Sequence, residues 1–444
     1  MFRLRLPFVV ACGLLAAASS PAAAQKSNSA LAGRIEAAAR RVEPQVVAWR
    51  RDIHEHPELG NRETRTAALI AAELKRLGLE VQTGVGKTGV VGLLRGGKPG
   101  PVVALRADMD GLPVTEEPKV PFASKVRAQY SGQEVGVMHA CGHDTHVAML
   151  LGAANVLSGL KADLPGTVKF VFQPAEEGPP PGEEGGAKLM VKEGVLDNPK
   201  VDAVFGLHVN AQTEVGQIKY RPEGMMASAD VFQIRVKGKS AHGAYPWLAT
   251  DPVVTAAQII VALQTVVSRE VQLTEDAAVV TVGMVHGGVR NNIIPEQVEL
   301  QGTLRALNPQ TRELLGRSVK RIATNIAEAA GTTAEVDVRP AAPLTYNDPA
   351  LTARMLPTLQ AVAGAPNVTL MKAVTGAEDF GCYQEKVPGL FLYLGGMPRG
   401  TNAATTAPHH TAGFFIDESG LELGVRTLAQ LTVDYLSGGT GKKK

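Results

Sequence analysis

Apolar positions change period several times along the chain, and each change marks an element. Residues 30–51 carry apolar positions three and four apart, which predicts a helix, and 62–77 predicts a second that stops at Gly78. Short apolar runs at 90–94, 102–107 and 168–172 predict strands, with an apolar helix over 146–157 between the last two. Strands alternating with helices imply an α/β layer around a largely parallel sheet. Past Gly216 the pattern changes. Residues 229–237 alternate as a half-buried strand, 251–269 form a helix opened by Asp251-Pro252, and 277–285 and 297–304 are strands. A helix over 309–330, stopped by Gly331, and a strand over 333–338 complete the order β-α-β-β-α-β, the ferredoxin-like unit. Beyond Pro340 the alternation resumes, with a strand at 390–394 and a helix at 421–435. The expected fold is therefore α/β. A discontinuous catalytic domain (25–215 and 332–438) is interrupted by an inserted satellite unit (216–331), and 439–444 form a frayed basic tail.

A length of 444 residues fits two domains. Arg3 and Arg5 precede an apolar stretch, and Ala22-Ala23-Ala24 before Gln25 offers a small-residue cleavage site, so residues 1–24 read as a secretory signal. Val9-Val10-Ala11-Cys12 also resembles a lipid-attachment box, a rival route to the same export. Forty-five Lys plus Arg stand against 43 Asp plus Glu, and loss of the signal leaves 43 of each. That balance gives no electrostatic footprint for nucleic acid or for an anionic membrane. The expectation is an exported, periplasmic or secreted protein that binds neither. Without Cys12 only Cys141 and Cys382 remain. One disulfide is open to such a pair, but the surroundings of Cys141 favour a metal-held thiolate.

Some local matches carry no chemistry. Gly84, Gly86 and Gly89 satisfy a dinucleotide glycine pattern, but a strand follows where a helix is needed. His54-Glu55-His56 is not the zinc motif H-E-x-x-H, because Glu58 stands at the second histidine position. The informative cluster is H-A-C-G-H-D-T-H, His139 to His146, which holds three of the ten histidines. Cys141 and His143 can face one point across Gly142, and thiolate and imidazole are both good zinc ligands. Such a pair needs partners from elsewhere. Candidates stand at strand ends, where α/β sites form: Glu176-Glu177 after 168–172, His208 after an apolar run, and His409-His410 late in the chain.

With these blocks the chain resembles the amidohydrolase branch of the dinuclear-metal aminoacylase and carboxypeptidase family, which includes hippurate hydrolases and plant auxin-conjugate hydrolases. The matching blocks are R-R-D-I-H-E-H-P-E-L-G from Arg50, R-A-D-M-D-G-L-P from Arg106, H-A-C-G-H-D-T-H, and F-Q-P-A-E-E-G from Phe172. They continue with S-A-H-G-A-Y-P from Ser240, N-I-I-P-E from Asn292, G-A-E-D-F from Gly376 and H-T-A-G-F-F-I-D-E from His410. The resemblance implies two divalent metal ions held by Cys141, His143, Glu177, His208 and His410, with Glu176 as general base. Zinc or manganese is the first expectation, with cobalt and nickel as alternatives. Ala412 stands where proline is common in the last block, which leaves the choice of His410 over His409 the least secure of the set. The resemblance also implies that His242 stabilises an oxyanion, often in the partner subunit of a homodimer, and that Asn292 and Arg305 contact substrate.

The residues are consistent with that chemistry on their own terms. A carboxylate bound to metal cannot also be a free base, so adjacent Glu176 and Glu177 can divide the two tasks. Asp108, Asp110 and Asp144 are candidates either to orient ligand imidazoles or to hold turns. The expected activity is metal-dependent hydrolysis of N-acyl amino acids or short peptide-like amides, with a dipeptidase or carboxypeptidase as the alternative. Two rivals remain: Cys141 as a nucleophile, and a binding protein that uses the metal structurally.

Overall fold

The computed structural model describes residues 21–274 and 276–438. Most of the proposed signal, the tail beyond Gly438 and Glu275 lie outside the described residues. The large sheet has eight strands. In spatial order they are Glu80–Val85, Gly89–Arg95, Pro165–Gln173, Lys98–Asp108, Ala203–Glu214, Gly389–Met397, Ile218–Tyr220 and Val368–Leu370. The four in the middle run parallel. Gly89–Arg95 and Glu80–Val85 on one side and Ile218–Tyr220 on the other join antiparallel, so the sheet is mixed rather than largely parallel.

Both faces of the middle strands are covered, which is why they read as unbroken apolar runs. Leu105, Phe170, Phe205 and Leu392 pack with Ile53, Leu150 and Leu428 from the helices Pro21–Glu55, His143–Ser158 and Leu421–Ser437. The intervening residues Ala104, Val171, Val204 and Phe391 point the other way, onto Met190, Phe380 and Tyr383. A sheet clamped in this way holds its strand ends rigidly.

The inserted unit forms a four-stranded antiparallel sheet in the order Ala278–Gly287, Gln297–Ala306, Ser228–Lys237, Thr333–Ala342. Phe232, Ile234 and Val236 alternate inward and pack with Ile259 and Leu263 of one helix and Leu315 and Val319 of the other. Those helices, Pro252–Thr265 and Pro309–Ala329, start where side chains cap them. Asp251 accepts from the Val253 and Val254 amides, and Asn308 accepts from the Thr311 amide. The limits drawn from sequence at 216 and 331 need moving. Ile218–Tyr220 pairs into the large sheet, and Thr333–Ala342 is an edge strand of the small one. A division at 331 cuts the unit before the strand that completes its pairing.

Candidate metal centre

The donors predicted from sequence converge where the parallel strands end. Gly142 turns the chain into helix His143–Ser158 with φ 89°, and a Cβ there would meet Val209 Cγ2 at 2.5 Å, so only glycine fits. This turn puts Cys141 Sγ 3.4 Å from His208 Nε2 and 3.3 Å from His410 Nε2. Glu177 Oε1 lies 2.9 Å from His410 Nε2 and 4.0 Å from His143 Nε2. Glu176 Oε2 is 3.8 Å from the same His143 nitrogen. Cys141 belongs to two compact donor groups, one with His143 and Glu177 and one with His208 and His409.

Hydrogen bonding sorts the histidines by which nitrogen is left free. His143 Nδ1 faces the Asp110 carbonyl at 2.9 Å, which commits that nitrogen as a donor and leaves Nε2 with its lone pair. His208 Nδ1 lies 2.6 Å from the Val209 carbonyl, so its Nε2 is likewise free toward Cys141. His146 is closed: Nδ1 bonds Asp108 Oδ1 at 2.5 Å, and Nε2 accepts the Val209 amide at 2.9 Å. His409 is closed as well, because its Nε2 accepts the Ala211 amide at 3.1 Å and its Nδ1 faces Cys141 Sγ at 3.6 Å.

These donors fit a metal. His143 Nε2 is buried without a hydrogen-bond partner, and Glu177 Oε1 meets His410 on one side and faces that bare nitrogen on the other. The 4.0 Å separation of His143 Nε2 from Glu177 Oε1 is too long for a hydrogen bond. It is within reach of one shared ion, since zinc bonds to nitrogen and oxygen of about 2.1 Å each span up to ~4.2 Å. The local field agrees. Burial opposes charge on His143, yet Asp108 and Asp110 push its pKa up to about 10, so the position draws a cation that a metal can replace. Burial, then Glu177 and Glu176, push the Cys141 thiol well above its ordinary range. A thiol pushed up in this way argues against the nucleophilic-cysteine reading. Cys141 and Cys382 are both free thiols.

The two glutamates part company in their surroundings. Glu177 faces the imidazoles, while Glu176 turns to Glu378 and Asp379, with carboxylate oxygens of all three within 4.8 Å. Burial, followed by Glu378 and Glu177, holds the Glu176 pKa well above the ordinary carboxylate range. Their turn is pinned from two sides. Asp110 accepts the Glu176 and Glu177 amides at 3.1 Å each, and Glu63 accepts the Ala175 amide at 2.8 Å, holding Ala175 at φ 49°. Of the three aspartates singled out, Asp110 alone bonds the imidazole of a predicted ligand. Asp108 bonds His146, and Asp144 turns toward helix Pro21–Glu55, where it meets Arg50 at 2.9 Å and His54 at 2.8 Å.

A cavity of about 800 Å³ opens over this centre, lined by Cys141, Glu176, Glu177, His208, His410 and Arg305 among others. Arg305 projects from strand Gln297–Ala306 and makes no ion pair among the described residues. His242 and Asn292 are not in this cavity. They lie together on an exposed two-stranded ribbon, where Ala241–His242 pairs with Ile293–Ile294 and Gly243 donates to the Asn292 carbonyl. Sequence reasoning missed Glu63 and the buried Arg106, which bonds Asp108, Glu378 and Asp379. Glu378 and Asp379 stood in a quoted block, G-A-E-D-F. No spacing signal marks Glu63.

A sheet whose strand ends gather thiol, imidazole and carboxylate donors under a cavity defines a metal-dependent α/β hydrolase. The model of the peptidase family M20/M25/M40 matches residues 104–434, and the chain belongs to that family. It is 40% identical over 396 residues to thermostable carboxypeptidase 2 of Saccharolobus solfataricus, covering 89% of this chain and 96% of that one. It is 40% identical over 395 residues to IAA-amino acid hydrolase ILR1-like 4 of Arabidopsis thaliana, covering 88% and 86%. Among solved structures it is similar to the Bacillus subtilis YXEP protein, a dinuclear metal binding peptidase from the M20 family, with TM-score 0.74, 36% identity and coverage of 89% and 99%. The chain is thus an amide-bond hydrolase of a metal-dependent family.

Proposed function

We propose that the protein hydrolyses the amide bond of N-acyl amino acids, releasing the acid and the free amino acid. The observation that carries this is Arg305, a half-buried guanidinium without an acidic partner among the described residues, lining the cavity that holds Glu176 and Cys141. A guanidinium so placed suits a substrate carboxylate, which it can grip bidentately. That carboxylate belongs to the amino acid whose nitrogen is released.

Cys141, His143, Glu177, His208 and His410 would hold two divalent ions, zinc or manganese first, which supply Lewis acidity for the amide carbonyl and for a water. Glu176, with its raised pKa, takes the proton of the attacking water and returns it to the departing nitrogen. Glu378 and Asp379 keep that carboxylate basic by like-charge repulsion. Carboxypeptidase or dipeptidase action is the second reading, favoured by the printed name of the archaeal relative. Both readings leave a free carboxylate beside the cleaved amide and differ only in the acyl side.

The reading includes a homodimer through the inserted unit. Val253, Val254 and Val261 on helix Pro252–Thr265 and Met284 and Val285 on strand Ala278–Gly287 are exposed, with Val289 just beyond. That face suits a second copy, whose His242 and Asn292 would complete the cavity. The helix Pro252–Glu270 is apolar and long enough to cross a membrane by composition, but its inner residues Ala256, Ile259 and Leu263 pack on the small sheet. Export is proposed on the basic and apolar start of the chain alone. The test is turnover of N-acetyl, N-benzoyl and N-indoleacetyl amino acids alongside dipeptides, with metal content measured on the same sample. Bound metal with turnover of the acyl series supports the reading; turnover of dipeptides alone replaces it with the second.

A further inference from the structure

We propose that His409 is not a metal ligand but the hydrogen-bond donor that tunes the Cys141 sulfur. The inference rests on the metal-binding reading above and adds a function for a histidine that the reading leaves unused. Three observations carry it. The Ala211 backbone amide can only donate, and it lies 3.1 Å from His409 Nε2, so that nitrogen must present its lone pair. A neutral imidazole with a bare Nε2 carries its proton on Nδ1, and Nδ1 faces Cys141 Sγ at 3.6 Å. The ring has no freedom to swap these roles, because it packs between Phe414 at 4.8 Å and His208 at 5.3 Å.

The same geometry bars His409 from coordination. To ligate through Nδ1 it would need the proton on Nε2, pointing at the hydrogen of the Ala211 amide. His410 next to it has no such commitment and reaches both Cys141 Sγ and Glu177. The adjacent pair therefore divides its work: His410 toward the ion, His409 toward the sulfur. Cys141 stands among His143 and Glu177 on one side and within 3.4 Å of His208 and 3.3 Å of His410 on the other, so the electron density on its sulfur bears on every ion held there. An N–H directed at a thiolate withdraws density from it, weakens its donation and leaves the ion more electrophilic. His409 also ties that sulfur to strand Ala203–Glu214, which carries His208. It is a positioning residue that acts through Cys141.

Cobalt-loaded protein provides the test, because thiolate-to-cobalt charge transfer reports the sulfur directly. His409→Phe should keep the wild-type metal stoichiometry and shift the charge-transfer band to longer wavelength, because the sulfur then donates more strongly. His409→Asn, whose amide can place an N–H where Nδ1 stood, should return the band most of the way. A packing role alone would alter stability and leave the band unmoved. If His409→Phe loses a metal equivalent, His409 is a ligand and the proposal falls; it falls equally if stoichiometry and band both stay at wild type. Should the phenylalanine variant not fold, nitrogen-15 spectra of histidine-labelled, zinc-loaded wild type decide, with a proton on Nδ1 expected and a proton on Nε2 overturning the assignment. Wild-type protein that takes up no cobalt would instead overturn the metal-binding reading itself.

Discussion

At the scale of single residues, the two neighbouring glutamates show how environment divides identical chemistry. Glu176→Gln removes a proton acceptor but no donor to the proposed ions. It should retain metal and fold while turnover falls by ~100-fold or more, the usual contribution of a general base. Turnover within about tenfold of wild type would refute the role. Cys141→Ser should fail to retain metal after dialysis, because it removes the donor shared by both groups. Arg305→Ala should lower kcat/KM by about 10- to 100-fold, matching the ~1.5–3 kcal/mol of a hydrogen bond to a charged group. Substrates whose carboxylate is replaced by carboxamide should not feel that change. If they lose as much, Arg305 is not the carboxylate clamp. Most of these residues were legible from the blocks in which they stand. The blocks chose His410 over His409 without a physical reason, since two adjacent histidines differ only in what the folded backbone offers their nitrogens.

At the scale of elements, strand ends were readable because buried parallel strands are apolar runs that stop abruptly at polar residues. Phe170-Val171-Phe172 followed by Gln173 and the paired glutamates is one such junction. The strand Glu80–Val85 was missed for the opposite reason: it is an edge strand, exposed along most of its length, whose apolar positions are too few to show a period. Turns are where these elements meet the chemistry. Gly142→Ala combines a left-handed backbone with a methyl 2.5 Å from Val209 Cγ2. The change should cost on the order of 1–3 kcal/mol in overpacking and disturb Cys141. A lowered denaturation midpoint together with reduced metal content is the expected pair of results. A variant of unchanged stability would show that the turn relaxes freely. Asp144 is the counter-example. Its place beside His143 marked it as an orienting partner, yet one residue along a helix is a turn of about 100°, and that rotation sends its carboxylate to Arg50 and His54 instead.

At the scale of the whole molecule, the proposed dimer would give a role to His242 and Asn292, which lie outside the cavity of their own chain. The protein should sediment as a dimer, and Val261→Glu, at a position 72% exposed on the apolar face, should yield monomers. His242→Ala should keep normal metal content and lower turnover by about 100-fold or more, as loss of an oxyanion donor does. A fully active monomer would exclude donation across subunits. Hydrophobic period by itself marked the buried strands and the long amphipathic helices, because burial and backbone hydrogen bonding act over a few neighbours. Donor residue types clustered at strand ends likewise announced a metal site. Which way each side chain turns, which nitrogen of a histidine is left bare, and that Glu63, Asp110 and Arg106 brace the centre were decided only by tertiary structure. Those properties depend on atoms brought together from distant parts of the chain, and no local pattern records such meetings.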